Sequence, residues 1–177
     1  MQDHKPQSPE TGAHQHRSRA AASVRAAVLT VSSTRNLDTD GSGAFLKERL
    51  LAAGHSVCDH RVVTDDAAKI ADAVRSIISG TAPQVLLVNG GTGVTAKDVT
   101  IEAVRPLFSK ELPAFGVLFA MQSQEEIGPA AILSRATAGK VGKTLVFCMP
   151  GSLAACRLAL LTLILPDLPH FAVHVSE

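Results

Sequence analysis

The 177-residue chain has no tryptophan, no tyrosine and only six phenylalanines. Proteins that grip single-stranded nucleic acid stack bases on aromatic side chains inside a basic groove. Neither resource is present here, because 17 Lys and Arg stand against 16 Asp and Glu, a formal net charge of +1. Lys5, Arg17 and Arg19, set against Asp3 and Glu10, place that excess in the first 24 residues, which leaves the remainder near neutral. Neither nucleic acid nor an anionic membrane is therefore an expected partner. Cysteine is scarce and odd in number. Cys58, Cys148 and Cys156 lie inside apolar runs without CxxC spacing and are expected to be buried thiols, not a disulfide framework or a metal site. No leader-type apolar region opens the chain, and the longest apolar stretch, residues 158–165, is far short of the ~20 residues that span a bilayer. A cytoplasmic protein is expected.

What is present divides unevenly. Residues 1–24 are rich in His, Gln, Ser and Pro and show no apolar periodicity until their end, so they cannot bury enough surface to offset the entropy of ordering. They predict a disordered arm, whose His4, His14 and His16 have no fixed partner geometry for a metal. Residues 25–177 suit one domain with a full core.

Along that domain, residues 25–31 form an apolar run of strand length. A polar loop follows, then residues 44–53 with helical spacing, stopped by Gly54. A second strand is predicted over 55–63 and a second helix over 67–78, with Ile70, Val74 and Ile77 on one face. A third strand spans 85–88, and Thr100 is a candidate cap for a helix reaching Leu107. Strands alternating with helices of this size imply an α/β, doubly wound, mostly parallel sheet in three layers. The regularity then breaks: a helix over 113–122, two short strands flanking Gly142 as a small edge hairpin, and a last helix over 153–165 that Ser152 caps and Pro166 stops.

In such a sheet ligands sit beyond the carboxyl ends of the strands, where three loops emerge, residues 32–43, 89–98 and 150–152. The middle loop reads NGGTGVTAKD. Gly90, Gly91 and Gly93 allow positive φ and close approach, so successive N–H groups can face an anion. The spacing GxxxxGK[ST] is absent and GxGxxG is not formed, which excludes a Walker loop and a dinucleotide fingerprint.

Together with NGGTGVTAKDVTIEA, the segments VSSTRNLDTDGSG, VVTDD, FAMQSQEEIGPAAILSRATAG and MPGS, in this order over about residues 25–166, resemble the MoaB/MogA family of molybdenum cofactor biosynthesis proteins. The EEIG form looks closer to the MoaB branch. The resemblance implies a molybdopterin-binding fold whose active members adenylylate molybdopterin with Mg-ATP as cosubstrate, with no permanently bound cofactor. It implies catalytic and metal-holding roles for Asp65 and Asp98. Phosphate or nucleotide contacts fall to Ser32, Asp40, Ser42, Gly43, Gly90, Gly91, Thr92, Gly93, Pro150, Gly151 and Ser152. Molybdopterin contacts fall to Ser123, Ser134 and Arg135.

Read without that resemblance, Asp65 or Asp66 is a helix cap, Asp98 caps near Thr100, Ser123, Ser134 and Arg135 are turn and hairpin polarity, and Lys97 is solvated. Ser33 stands where many members carry Asp, and Asn89 where Thr usually precedes GGTG. The alternative to an enzyme is a non-catalytic molybdopterin-binding or scaffold protein of the same pathway, and a third reading is a nucleotide-binding regulator. Residues 153–165 are apolar almost all round, which with the resemblance predicts a homo-oligomer, a trimer or hexamer, alongside other pathway proteins as partners.

Overall fold

The computed structural model describes residues 23–176. Six strands form one sheet in the order β2-β1-β3-β6-β5-β4: β1 (Arg25–Val31), β2 (Ser56–Val63), β3 (Val85–Asn89), β4 (Lys110–Glu111), β5 (Thr137–Val141) and β6 (Thr144–Met149). β2, β1, β3 and β6 run parallel, whereas β5 is antiparallel to β6 and β4 to β5. The hairpin around Gly142 forms, at φ +57°, and its second strand enters the parallel part of the sheet.

Successive strand residues face opposite sides, and this alternation splits the core in two. Ala26, Val28, Val85, Leu87, Phe147 and Met149 pack beneath α1 (Gly41–Ala52), α4 (Pro113–Ile127) and the C-terminal helical run. Ala27, Leu29, Leu86, Val88, Val146 and Cys148 pack beneath α2 (Ala67–Thr81) and the short α3 (Thr100–Val104). Ile70, Val74 and Ile77 of α2 are fully buried, as their spacing predicts.

Four expectations are corrected. The arm assigned to residues 1–24 lies outside the described residues except at its end, where Val24 is fully buried and its N–H donates to His55 Nδ1 at 3.2 Å. Thr100 is not a cap: its hydroxyl donates to the Gly90 carbonyl at 2.7 Å, Val99 holds the cap position, and the helix gives way to a 3-10 turn at Arg105–Leu107. Pro166 does not stop the last helix. α5 (Leu153–Leu158) widens into π turns (Ala159–Ile164) and a 3-10 turn (Leu165–Asp167), where the missing proline N–H is tolerated, and α6 (Leu168–Ser176) continues the run. The resulting 23 residues, Leu153–Val175, whose most apolar 18-residue window has mean hydropathy 1.6, are by length and composition long and apolar enough to cross a membrane, although 158–165 alone is not. Here Cys156, Leu158, Leu160, Ile164, Leu168, Ala172 and Val175 of this run belong to the sheet's core.

The fourth correction concerns which apolar surface is left open. The C-terminal run buries Leu158, Leu160 and Leu168 and half-buries Leu163 and Leu165, while Leu153 and Leu161 stay exposed along with Arg157 and Thr162. The larger group of uncovered apolar side chains lies on α4 and the 3-10 segment Gly128–Leu133: Val117, Leu118, Met121, Ile127, Ile132 and Leu133.

Candidate functional site

The three predicted loops do converge. Each leaves a parallel strand at its carboxyl end, and they touch through backbone as well as side chain. Ser42 Oγ donates to the Gly151 carbonyl at 2.8 Å, and Arg35 Nη1 reaches the same oxygen at 3.3 Å. Gly151 lies so close to Gly90 that a Cβ on it would stand 2.9 Å from Gly90 Cα. Gly90 and Gly91 hold φ of +98° and +61°, which side chains disfavour, and a Cβ at Gly90 would strike the Val31 carbonyl. In this turn neither the Gly91 nor the Thr92 amide has a hydrogen-bond partner among the described residues. The Thr92 hydroxyl is likewise buried without a partner among the described residues.

Several side chains assigned to ligand contact instead build the loops. Ser32 Oγ accepts from the amides of Thr34 and Arg35, both at 3.2 Å. Ser152 caps α5, its hydroxyl oxygen accepting from the Ala155 amide. Asp40 is the clearest correction. It is buried, Oδ1 caps α1 by accepting from Gly43 N at 2.9 Å, and Oδ2 accepts from Thr30 Oγ1 at 2.6 Å and lies 3.0 Å from His60 Nε2. Asn89 Nδ2 donates to Thr30 Oγ1 at 2.8 Å, which extends this network to the end of β3. A buried carboxylate with both oxygens engaged inside the protein is not placed to meet a phosphate. Gly43 is required by the same network, since a Cβ there would collide with Asp40 Oδ2.

The two aspartates differ. Asp66, not Asp65, caps α2, accepting from Lys69 N at 2.9 Å. Asp65 is half-buried, its carboxylate has no partner among the described residues, and its amide donates to Ser33 Oγ at 3.3 Å. Asp98 folds back over its own loop, Oδ2 accepting from the Thr95 hydroxyl at 2.7 Å and the Thr95 amide at 2.8 Å. The Thr95 hydroxyl, then the amides of Thr95 and Gly93 and the nearby Arg135, hold this carboxyl below its ordinary range against partial desolvation, so it is anionic at neutral pH.

Arg135 is placed beneath the glycine loop. Its Nε donates to the carbonyls of Thr92 and Gly93, both at 2.9 Å, and its Nη atoms pair with Glu102 at 2.6 and 3.3 Å. The guanidinium thus braces the turn, and Glu102, held below its ordinary range chiefly by Arg135, fixes the brace. Ser123 is buried on α4, and Ser134 follows the 3-10 segment, its amide donating to Ala131 O at 2.9 Å. Thr95, Glu102 and His60 escape a reading of the sequence. The Thr-x-x-Asp pattern at 95–98 is a local signal for the first, whereas the other two depend on contacts made only by the fold. A cleft of about 650 Å³ adjoins the first loop, lined by Ser32, Arg35, Asn36, His60 and Thr64 among others.

A family model described as a probable molybdopterin binding domain matches residues 27–170. Molybdenum cofactor biosynthesis protein B of Bacillus cereus is 47% identical over 163 residues, covering 90% of this chain and 96% of that protein. A crystal structure of a molybdenum cofactor biosynthesis protein B superposes with TM-score 0.84 at 47% identity, over 86% of this chain and 96% of the other. The tungsten cofactor synthesizing protein MoaB from Pyrococcus furiosus gives TM-score 0.80 at 35% identity, over 89% and 100%. With a domain model spanning most of its length and relatives this similar over nearly all of theirs, the chain belongs to the MoaB/MogA family of molybdenum cofactor biosynthesis proteins.

Proposed function

We propose that the protein binds molybdopterin at the edge where the three loops meet and adenylylates it with Mg-ATP. The observation that carries this reading is the pair of unpartnered amides, Gly91 and Thr92, presented by a positive-φ turn that Arg135 braces from below. Fixed backbone donors with nothing to bind suit phosphate oxygens, and they need no reorganisation as charge builds during phosphoryl transfer. Asp65 and Asp98 are the residues that would hold Mg²⁺, which takes one or two carboxylates and otherwise keeps water and substrate phosphates. The bound metal would offset the phosphate charge that an anionic Asp98 would otherwise repel. The cleft beside Ser32 and Arg35 offers room for the nucleotide. Cytoplasmic location fits the bacterial relatives named for this pathway.

A non-catalytic molybdopterin-binding protein is the second reading, favoured by Ser33, which places a hydroxyl at the Asp65 amide where many members carry a carboxylate. Incubating purified protein with molybdopterin, Mg-ATP and pyrophosphatase separates the two. Adenylyl-molybdopterin above a no-protein control supports the enzyme, and its absence with molybdopterin still bound supports the scaffold. We also propose a trimer or hexamer, because the open apolar patch on α4 and Gly128–Leu133 is of the kind that subunit contacts cover.

A further inference from the structure

We propose that the sheet edge beneath α6 holds a second site, which binds a small carboxylate with an apolar body. The register of β4, β5 and β6 aligns Lys110, Lys140 and Leu145 in one lateral row, and α6 crosses over it, leaving a cavity of about 350 Å³. Leu112, Leu145, Phe171 and Val175 wall it, with Lys110 and Lys140 at its border. That volume lies within the range of small-molecule sites, roughly 300–1,000 Å³.

The charges are what the fold leaves unresolved. Lys110 and Lys140 stand directly opposite each other on antiparallel strands, an arrangement that repels. Among the described residues neither ammonium has an ion-pair partner. The adjacent acid cannot serve, because alternation turns Glu111 to the other face, where its carboxylate accepts from Arg105 Nε at 3.0 Å and Thr137 Oγ1 at 2.9 Å. Opposed Cβ atoms lie about 4.5–5.5 Å apart, a span that the two oxygens of one carboxylate can bridge. His170, also lining the cavity, buries Nδ1 without a partner among the described residues, which is unfavourable until a polar group reaches it. An anion at the mouth with an apolar body inside answers both the repulsion and the empty apolar walls.

This site is distinct from the loop edge. Leu145 lies near the start of β6, and the loop at Pro150 follows its end, about 16 Å away at the rise of a strand.

Octanoate is the probe, titrated calorimetrically into the full chain, with octanol and acetate as controls. Saturable binding of one octanoate per chain is expected, with both controls at least tenfold weaker. Lys110→Gln with Lys140→Gln should weaken octanoate at least tenfold, and Val175→Trp, which fills the cavity while keeping both lysines, should abolish binding. Asp98→Asn should leave it unchanged, which keeps the result independent of the loop-edge reading. The proposal is overturned by no saturable binding, by equal affinity for octanol, by indifference to the lysine pair and to Val175→Trp, or by loss in Asp98→Asn. A change of mass in light scattering on removing the lysines would likewise overturn it, assigning the surface to a second copy of the chain.

Discussion

At the scale of single residues, Asp98 carries two roles that substitution can part. Its Oδ2 ties the loop to Thr95, and its charge lies in the loop where a metal is proposed. Asparagine can still accept from Thr95 but cannot neutralise a cation. Asp98→Asn is therefore expected to keep the fold and its melting temperature while turnover falls by two orders of magnitude or more, measured as adenylyl-molybdopterin formed per minute. Turnover within a few-fold of wild type would reduce Asp98 to a loop fastener. Arg135 makes the complementary case. Removing it strips the Thr92 and Gly93 carbonyls of a charged donor and leaves Glu102 unpaired, so Arg135→Ala should cost about 1–3 kcal/mol in urea unfolding. Lysine should not rescue it, because one ammonium cannot span two carbonyls and a carboxylate. The family resemblance had given Asp98 a catalytic and metal-holding role and Arg135 a molybdopterin contact. Only the fold reveals that Arg135 works from behind the loop, since its partners lie 33 to 43 positions away.

At the scale of elements, β1, β3, β6 and the α2 helix were legible because burial on both faces leaves near-continuous apolar runs, and a single buried face leaves helical spacing. Thr100, Pro166 and β4 were not. Thr100 is taken by a carbonyl of the preceding loop, Pro166 is absorbed by π and 3-10 turns, and a two-residue strand has no period to read. The junction before β1 makes a testable case. His55 Nδ1 accepts from the buried Val24 amide, and burial holds the imidazole below its ordinary range. The folded state therefore binds fewer protons than the unfolded chain, so this contribution is present above the unfolded value near 6.5 and is lost as pH falls toward the folded one. Stability measured by urea unfolding between pH 7 and 5 should decline, and His55→Gln should flatten the decline. An unchanged pH slope in His55→Gln would mean that other groups set it.

At the scale of the whole molecule, the sheet separates three surfaces: the loop edge, the cavity beneath α6 and the apolar patch on α4 and Gly128–Leu133. If that patch is the subunit interface, Ile132→Asp with Met121→Glu should reduce the mass in light scattering to that of a monomer while the circular dichroism spectrum is kept. A persistent oligomer would place the interface elsewhere. The central claim concerns the loop edge, and hydrogen exchange read by mass spectrometry addresses it most directly, because the Gly91 and Thr92 amides lack partners in the free protein. Addition of molybdopterin should slow exchange in peptides covering residues 89–98 and 150–154, with no change across 117–133 beyond that of the assembly itself. Saturating molybdopterin that leaves residues 89–98 exchanging at the free rate would contradict the account.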